Sequence, residues 1–270
     1  MKNQVISPAA SILILRKKTS GLEVLMVKRS SRPPFGNLYV FPGGKIDEAD
    51  FNNNLKSRCH NNSFDDITFA NIAAAIRETF EEVGILLATD ENGDDFKINS
   101  LNEERFSLYR KDLLKNTISI LDILENENLY LDLSSFRQLS NWITPELEKR
   151  RFDTRFFVTI IEADQIATFD KRELTESLWI NPSAAIDAAT NGEMPMIPPT
   201  IKNLEIIKEC NSEKELINCL ENRHEEAIKP ILPKIYKDSA GNWNILMPDD
   251  DGYHELWLKS ALLEKLQPPI

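Results

Sequence analysis

Cysteine is scarce in this chain of 270 residues: Cys59, Cys210 and Cys219 are too far apart for a zinc CxxC pair or for the thiol framework of a small secreted domain. A reduced, intracellular setting is expected. Long apolar runs are also missing. Near the start only residues 12–15 are continuously apolar before Arg16 and Lys17, far short of a signal segment or of the ~20 residues a membrane span needs. The closing LQPPI is not a peroxisomal SKL-type address, so a cytoplasmic location and no membrane partner are the expectation. Positive charge is in deficit, with 32 Lys and Arg against 43 Asp and Glu and a net charge of −11. Phosphate backbones are held by excess base, so no DNA partner is expected, whereas a phosphorylated small molecule bridged by a metal cation stays open. Neither GxSxG nor GxGxxG nor a Walker loop occurs, which leaves covalent catalysis and dinucleotide redox chemistry without support. The histidines, His60, His224 and His254, share no ligand spacing and are assigned no chemistry.

Apolar residues make up 41% of the chain, enough for a folded core. Residues 9–15 and 23–29 are aliphatic runs separated by a turn-rich stretch and read as two strands. Residues 30–44, with three Pro and three Gly, read as loop with a short strand near 38–41. Residues 50–69 are polar and without periodicity, so a loop is expected whose trimming over 52–62 leaves the fold intact. Ile72, Ile76, Phe80 and Val83 then recur at helical spacing, predicting a helix over about 70–83 that Gly84 stops. Helix is expected again over 101–124, strands over 136–144, 155–161 and 173–180, and helices near 184–189, 201–208 and 212–222. Residues 231–236 and 243–247 flank a turn and read as a hairpin.

At about 100° per residue, Glu78, Glu81 and Glu82 fall at about 0°, 300° and 40° on that first helix, one narrow face with Arg77 at its margin. Paired glutamates are common on solvated helix faces. Three like charges at this spacing nevertheless repel, and a divalent cation would offset the repulsion; carboxylate oxygens with water suit Mg²⁺. Upstream stands a Pro-Gly-Gly turn, Pro42-Gly43-Gly44.

With those residues in view, the chain resembles the Nudix hydrolases, whose box reads GxxxxxE, seven residues, then REUxEExGU with U aliphatic. Gly44 opens the box and residues 77–85 close it, with Thr79 at an aliphatic position. Asp50 stands at the first Glu, and Asp50 to Arg77 is 27 positions where the pattern has 8, so 27 − 8 = 19 extra residues interrupt the box. Loop insertions cost closure entropy only logarithmically. The strings VFPGGKIDEAD (40–50) and AIRETFEEVGILL (75–87), with Trp142 to Pro145, Arg151 to Phe157 and Pro198-Pro199-Thr200, are similar to the branch of peroxisomal coenzyme A diphosphatases and their bacterial relatives, over about residues 5–205.

The resemblance implies an α/β fold, a Nudix-type α/β/α sandwich around a mixed sheet. The Nudix domain would span 1–200, with a loop insertion at about 51–69 and a helical insertion at about 101–128, and a helical and hairpin extension (201–270) would pack on it. It also implies a pyrophosphatase using Mg²⁺ or Mn²⁺ on a small-molecule nucleotide substrate, most simply coenzyme A or acyl-coenzyme A. ADP-ribose, dinucleoside polyphosphates, capped RNA, or a non-catalytic ligand-sensing module are the alternatives. A homodimer is left open. Glu78, Glu81, Glu82 and the carbonyl of Gly43 are the implied metal ligands, and Arg77 is the implied orienter of a glutamate. Glu81, Glu82, Glu173 and Glu176 are candidate proton acceptors. Arg29 and Arg32 meet a 3′-phosphate or are solvated loop charges, Gly44 lies against substrate, and Arg155, with Asp153, is placed in a pocket or in a mutual ion pair. Phe156 and Phe157 read as strand core.

Overall fold

The structure is a computed structural model that describes residues 5–31, 36–60, 62–162 and 174–254. It runs β1 (Ile6–Lys18), β2 (Gly21–Arg29), β3 (Tyr39–Val40) and β4 (Gly43–Lys45) into a 3₁₀ turn at Glu48–Phe51, then α1 (Asn53–Ser57), β5 (Cys59–His60) and α2 (Asp66–Val83). After these come α3 (Glu103–Leu113), α4 (Ile120–Asn126), β6 (Leu131–Asp132), β7 (Arg137–Ile143), β8 (Arg151–Ile161) and β9 (Leu174–Ile180). The C-terminal part is α5 (Pro182–Thr190), α6 (Pro198–Ile207), α7 (Glu213–Glu221), α8 (His224–Ala227), β10 (Pro230–Ile231) and the hairpin β11 (Lys234–Lys237) and β12 (Trp243–Leu246). No described helix is long and apolar enough to cross a membrane.

The main sheet has the order β10-β7-β8-β1-β2-β3, with β4 added to β1 and β9 to β2. It is mixed: β1 runs parallel to β8 over eleven residue pairs from Ile6↔Arg151 to Arg16↔Ile161, and antiparallel to β2 and β4. Alternate side chains of β1 enter opposite cores. Ile12 and Ile14 join a cluster under α2, α3 and α4, whereas Leu13 and Leu15 join one built with Ala185 of α5, Leu204 of α6 and Leu216 of α7. A strand buried on both faces reads as an unbroken aliphatic run, which is why residues 9–15 show no alternation. Helices thus cover both faces, the expected α/β sandwich.

The stretch expected to be loop at about 51–69 is structured. Leu55 of α1 is buried in the first core, and Cys59 pairs with Leu131 in a small parallel sheet. Helix α2 begins at Asp66 instead of near 70, because Asp65 caps it by accepting hydrogen bonds from the Ile67 and Thr68 amides at 2.9 Å each. Its end is as expected, with Gly84 in the left-handed region. Thr79, at an aliphatic box position, is fully buried and donates from Oγ1 to the Ala75 carbonyl at 2.7 Å, which satisfies the hydroxyl inside the helix. The single helix expected over 101–124 is two, broken at residues 114–119.

Candidate active site

Helix α2 packs against β1 and β4, and this places the Gly43-Gly44 turn across its last two turns. Space requires a glycine at Gly43, and at Gly44 any side chain would displace the Glu78 carboxylate. Gly43 has φ +151°, and a Cβ there would collide with the Ala10 carbonyl; one at Gly44 would collide with the Glu78 carboxylate. The Gly43 amide donates to Glu82 Oε2 at 3.0 Å. The turn is therefore fitted to the acidic helix face.

Arg77 lies at the centre, 7% exposed. Its Nε and Nη2 donate to the two Asp50 carboxylate oxygens at 3.0 Å each, and Nη2 also donates to the Lys45 carbonyl at 2.9 Å. Nη1 donates to Glu78 Oε1 at 3.1 Å and Glu81 Oε1 at 3.3 Å, and Asp47 stands 3.6 Å from Nη2. Four carboxylates thus share one guanidinium at ion-pair distance. Burial works against the charge of Arg77, but the Asp50 hydrogen bonds and the carboxylates around it outweigh burial and raise its pKa. Burial pushes the Glu81 carboxyl above its ordinary range, opposed by Arg77 and reinforced by Asp47 and Asp50. The C-terminal turn of α2 is fixed from the helical insertion, where Arg110 Nε donates to the Glu81 carbonyl at 2.8 Å.

These groups line one wall of a cavity of about 800 Å³, toward the upper end of the ~300–1,000 Å³ typical of small-molecule sites. The wall holds Gly43, Gly44, Asp47, Glu78, Glu81 and Glu82. Much of the remaining lining is apolar, with Trp142 of β7, Phe152 and Phe156 of β8, Pro198 and Pro199 of α6, and Ile235 and Ile245 of the hairpin, and Glu148 and Arg150 stand between β7 and β8. A buried chain of hydrogen bonds sets two of these parts against each other. Trp142 Nε1 donates to Ser140 Oγ at 3.0 Å, Ser140 Oγ to Asn203 Oδ1 at 2.7 Å, and Asn203 Nδ2 to the Pro199 carbonyl at 2.8 Å.

Arg29 also lines the cavity, and its Nε is buried without a hydrogen-bond partner. Arg32 and Glu173 lie outside the described residues. Arg155 and Asp153 do not line the cavity: successive strand residues point to opposite faces, and Phe152, Thr154 and Phe156 take the cavity face. Arg155 Nη1 meets Thr68 Oγ1 of α2 at 3.2 Å on the other face, and neither member of the expected Arg155–Asp153 pair holds the other by an ion pair. Glu176 accepts from the Tyr39 hydroxyl at 2.9 Å and is not in the lining. Sequence reading missed Asp47 and the apolar lining; it noted Trp142 and Pro198-Pro199 only as likenesses, and the fold joins them.

Among the described residues no group of three or more His, Cys, Asp or Glu side chains is gathered as a ready ligand shell. Glu78 and Glu81 are turned onto Arg77, and Glu82 onto the Gly43 amide. The donor set nevertheless fits a hard divalent cation in kind, being carboxylate oxygens only, in excess over the cation that partners them, and bordering a cavity.

A helix of clustered glutamates under a glycine turn, on a mixed sheet covered by helices on both faces, defines a Nudix pyrophosphatase. A family model described as NUDT19 Nudix domain matches residues 60–207, more than half of the chain, and the chain belongs to that family. It is 27% identical over 290 residues to acyl-coenzyme A diphosphatase NUDT19 of Xenopus laevis, covering 93% of this chain and 76% of that protein. It is 28% identical over 235 residues to putative nudix hydrolase 7 of Caenorhabditis elegans, covering 87% and 70%. Among solved structures, a NUDIX hydrolase from Alicyclobacillus acidocaldarius superposes with a TM-score of 0.69 at 27% identity, covering 80% of this chain and 97% of that one.

Proposed function

We propose that this enzyme hydrolyses the diphosphate of coenzyme A or an acyl-coenzyme A with Mg²⁺ or Mn²⁺ held by Glu78, Glu81 and Glu82. The observation that carries the reading is the cavity itself, in which a wall of carboxylates and a glycine turn faces the same space as an apolar lining. A ligand with a diphosphate and a long, weakly polar arm matches both. The relatives named acyl-coenzyme A diphosphatase point the same way. The bound metal would neutralise the diphosphate and lower the pKa of an attacking water. The chain's own groups do the rest. Arg77 and Asp50 hold the helix face to the glycine turn, Gly43 and Gly44 allow the backbone to approach the diphosphate, and Arg29, in the lining of the same cavity, brings a guanidinium charge to a substrate phosphate. Of the three box glutamates beside the cavity, Glu81 and Glu82 are the candidates to take the proton of the water.

Phosphate-ester products are to be measured from coenzyme A, ADP-ribose and diadenosine polyphosphate, with and without Mg²⁺, for wild type and Glu81→Gln. Metal-dependent release from coenzyme A that fails in Glu81→Gln supports the reading. Release from ADP-ribose or diadenosine polyphosphate alone would replace the substrate, and no release from any of them would favour a ligand-sensing module.

A further inference from the structure

The hairpin β11–β12 has no part in holding the carboxylates, yet it is fastened over the same cavity. Strand β10 pairs with β7 through Pro230↔Asn141 and Ile231↔Trp142, so the chain enters the hairpin beside Trp142. Two more hydrogen bonds pin its base: the Tyr253 hydroxyl donates to the Leu232 carbonyl and Lys234 Nζ to the Tyr253 carbonyl, both at 2.6 Å. Ile235 and Ile245 sit directly opposite each other across the two strands, and both line the cavity with Pro233. Ile245 is 44% exposed. A fixed apolar surface left open to water inside a cavity gains from a ligand that covers it.

The chemistry of that surface selects the ligand. Pro233, Ile235 and Ile245 present neither donor nor acceptor from their side chains. A second nucleoside or a sugar phosphate laid against them would lose water from its hydroxyls and charges with nothing in exchange. An alkyl chain loses nothing, and each fully covered methylene contributes about 0.8 kcal/mol, or roughly fourfold in binding. Resting on the proposed diphosphatase activity, we infer that the hairpin is the acyl-chain wall of the site: Pro233, Ile235 and Ile245 receive the alkyl arm of an acyl-coenzyme A and make the enzyme select acylated over free coenzyme A.

The test compares kcat/KM for free, acetyl-, hexanoyl- and dodecanoyl-coenzyme A with Mg²⁺ present, in wild type, Ile235→Asp, Ile245→Asp, Ile245→Ala and Ala240→Asp. The readout is the ratio of dodecanoyl to free coenzyme A within each protein, so a general loss of active enzyme cancels. Wild type is expected to show a ratio of about ten or more, rising with chain length. Either aspartate should bring the ratio near one, and Ile245→Ala should lower it partway without introducing charge. Ala240→Asp puts the same charge on the exposed hairpin turn, off the cavity, and should retain the wild-type ratio. A wild-type ratio near one, or hairpin variants that keep the wild-type ratio, would overturn the inference while leaving the diphosphatase reading intact. Absence of phosphomonoester products from every coenzyme A compound, wild type included, would overturn both.

Discussion

The two walls of the cavity are built in opposite ways. The charged wall comes from two short pieces of chain, residues 43–50 and 77–82, brought together by one buried guanidinium. The apolar wall takes single residues from β7, β8, α6 and the hairpin, held by strand pairing and a buried hydrogen-bond chain. In a wall made from two short segments on one guanidinium, a change at one carboxylate disturbs the helix face and its Arg77 anchor together. A wall made from dispersed residues can change one position at a time, so chemistry and selectivity are separable here.

The largest effect is expected of Glu82→Gln. Losing one carboxylate of the charged wall should lower kcat/KM by on the order of a thousandfold, the several kcal/mol that metal-assisted catalysis supplies, and by the same factor for every substrate. A loss confined to long-chain substrates in steady-state assays would assign Glu82 to the other wall. Next comes the anchor. Asp50→Ala leaves Arg77 charged, buried and short of its bidentate partner, and should cost about 3–5 kcal/mol in urea unfolding. An unfolding midpoint equal to that of wild type would show that the carboxylates of Glu78 and Glu81 suffice. The insertion that interrupts the box offers a third break, because Leu55 is 1% exposed in the core under α2. Leu55→Ala should cost about 2–5 kcal/mol, and trimming 52–62, read from sequence as harmless, should lower the yield of folded protein. The smallest effects separate two arginines. Arg29→Ala should raise KM for coenzyme A roughly tenfold, as expected for a lost hydrogen bond to a charged group, whereas Arg155→Ala should leave KM within about twofold. Equal KM values in the two variants would remove Arg29 from the substrate path.

The charged wall was legible in the sequence because a helix repeats at a known angle, so Glu78, Glu81 and Glu82 could be placed on one face before any fold was known. Its anchor was half legible. Asp50 stood out as a departure from the box pattern, and the structure gives it the partner that the pattern could not name, Arg77 from across the insertion. The insertion itself was misread because one buried leucine in an Asn-rich stretch makes no periodicity; the capping signal at Asp65, just before the first helical residue, was there to be used. Strand parity defeated the reading of β8. Alternation says that Thr154 and Arg155 face opposite sides, but not which side holds the cavity, and the charged residue proved to face α2. The hairpin was readable from its turn, yet its position over the cavity depends on β10 joining β7 from far along the chain.

The most direct measurement is anomalous diffraction from crystals of the enzyme soaked in Mn²⁺. Anomalous density is expected in ligating contact with Glu78, Glu81 and Glu82 beside the Gly43 carbonyl, lost in crystals of Glu82→Gln. Density elsewhere, or none while the three carboxylates stay on Arg77 and the Gly43 amide, would contradict that expectation.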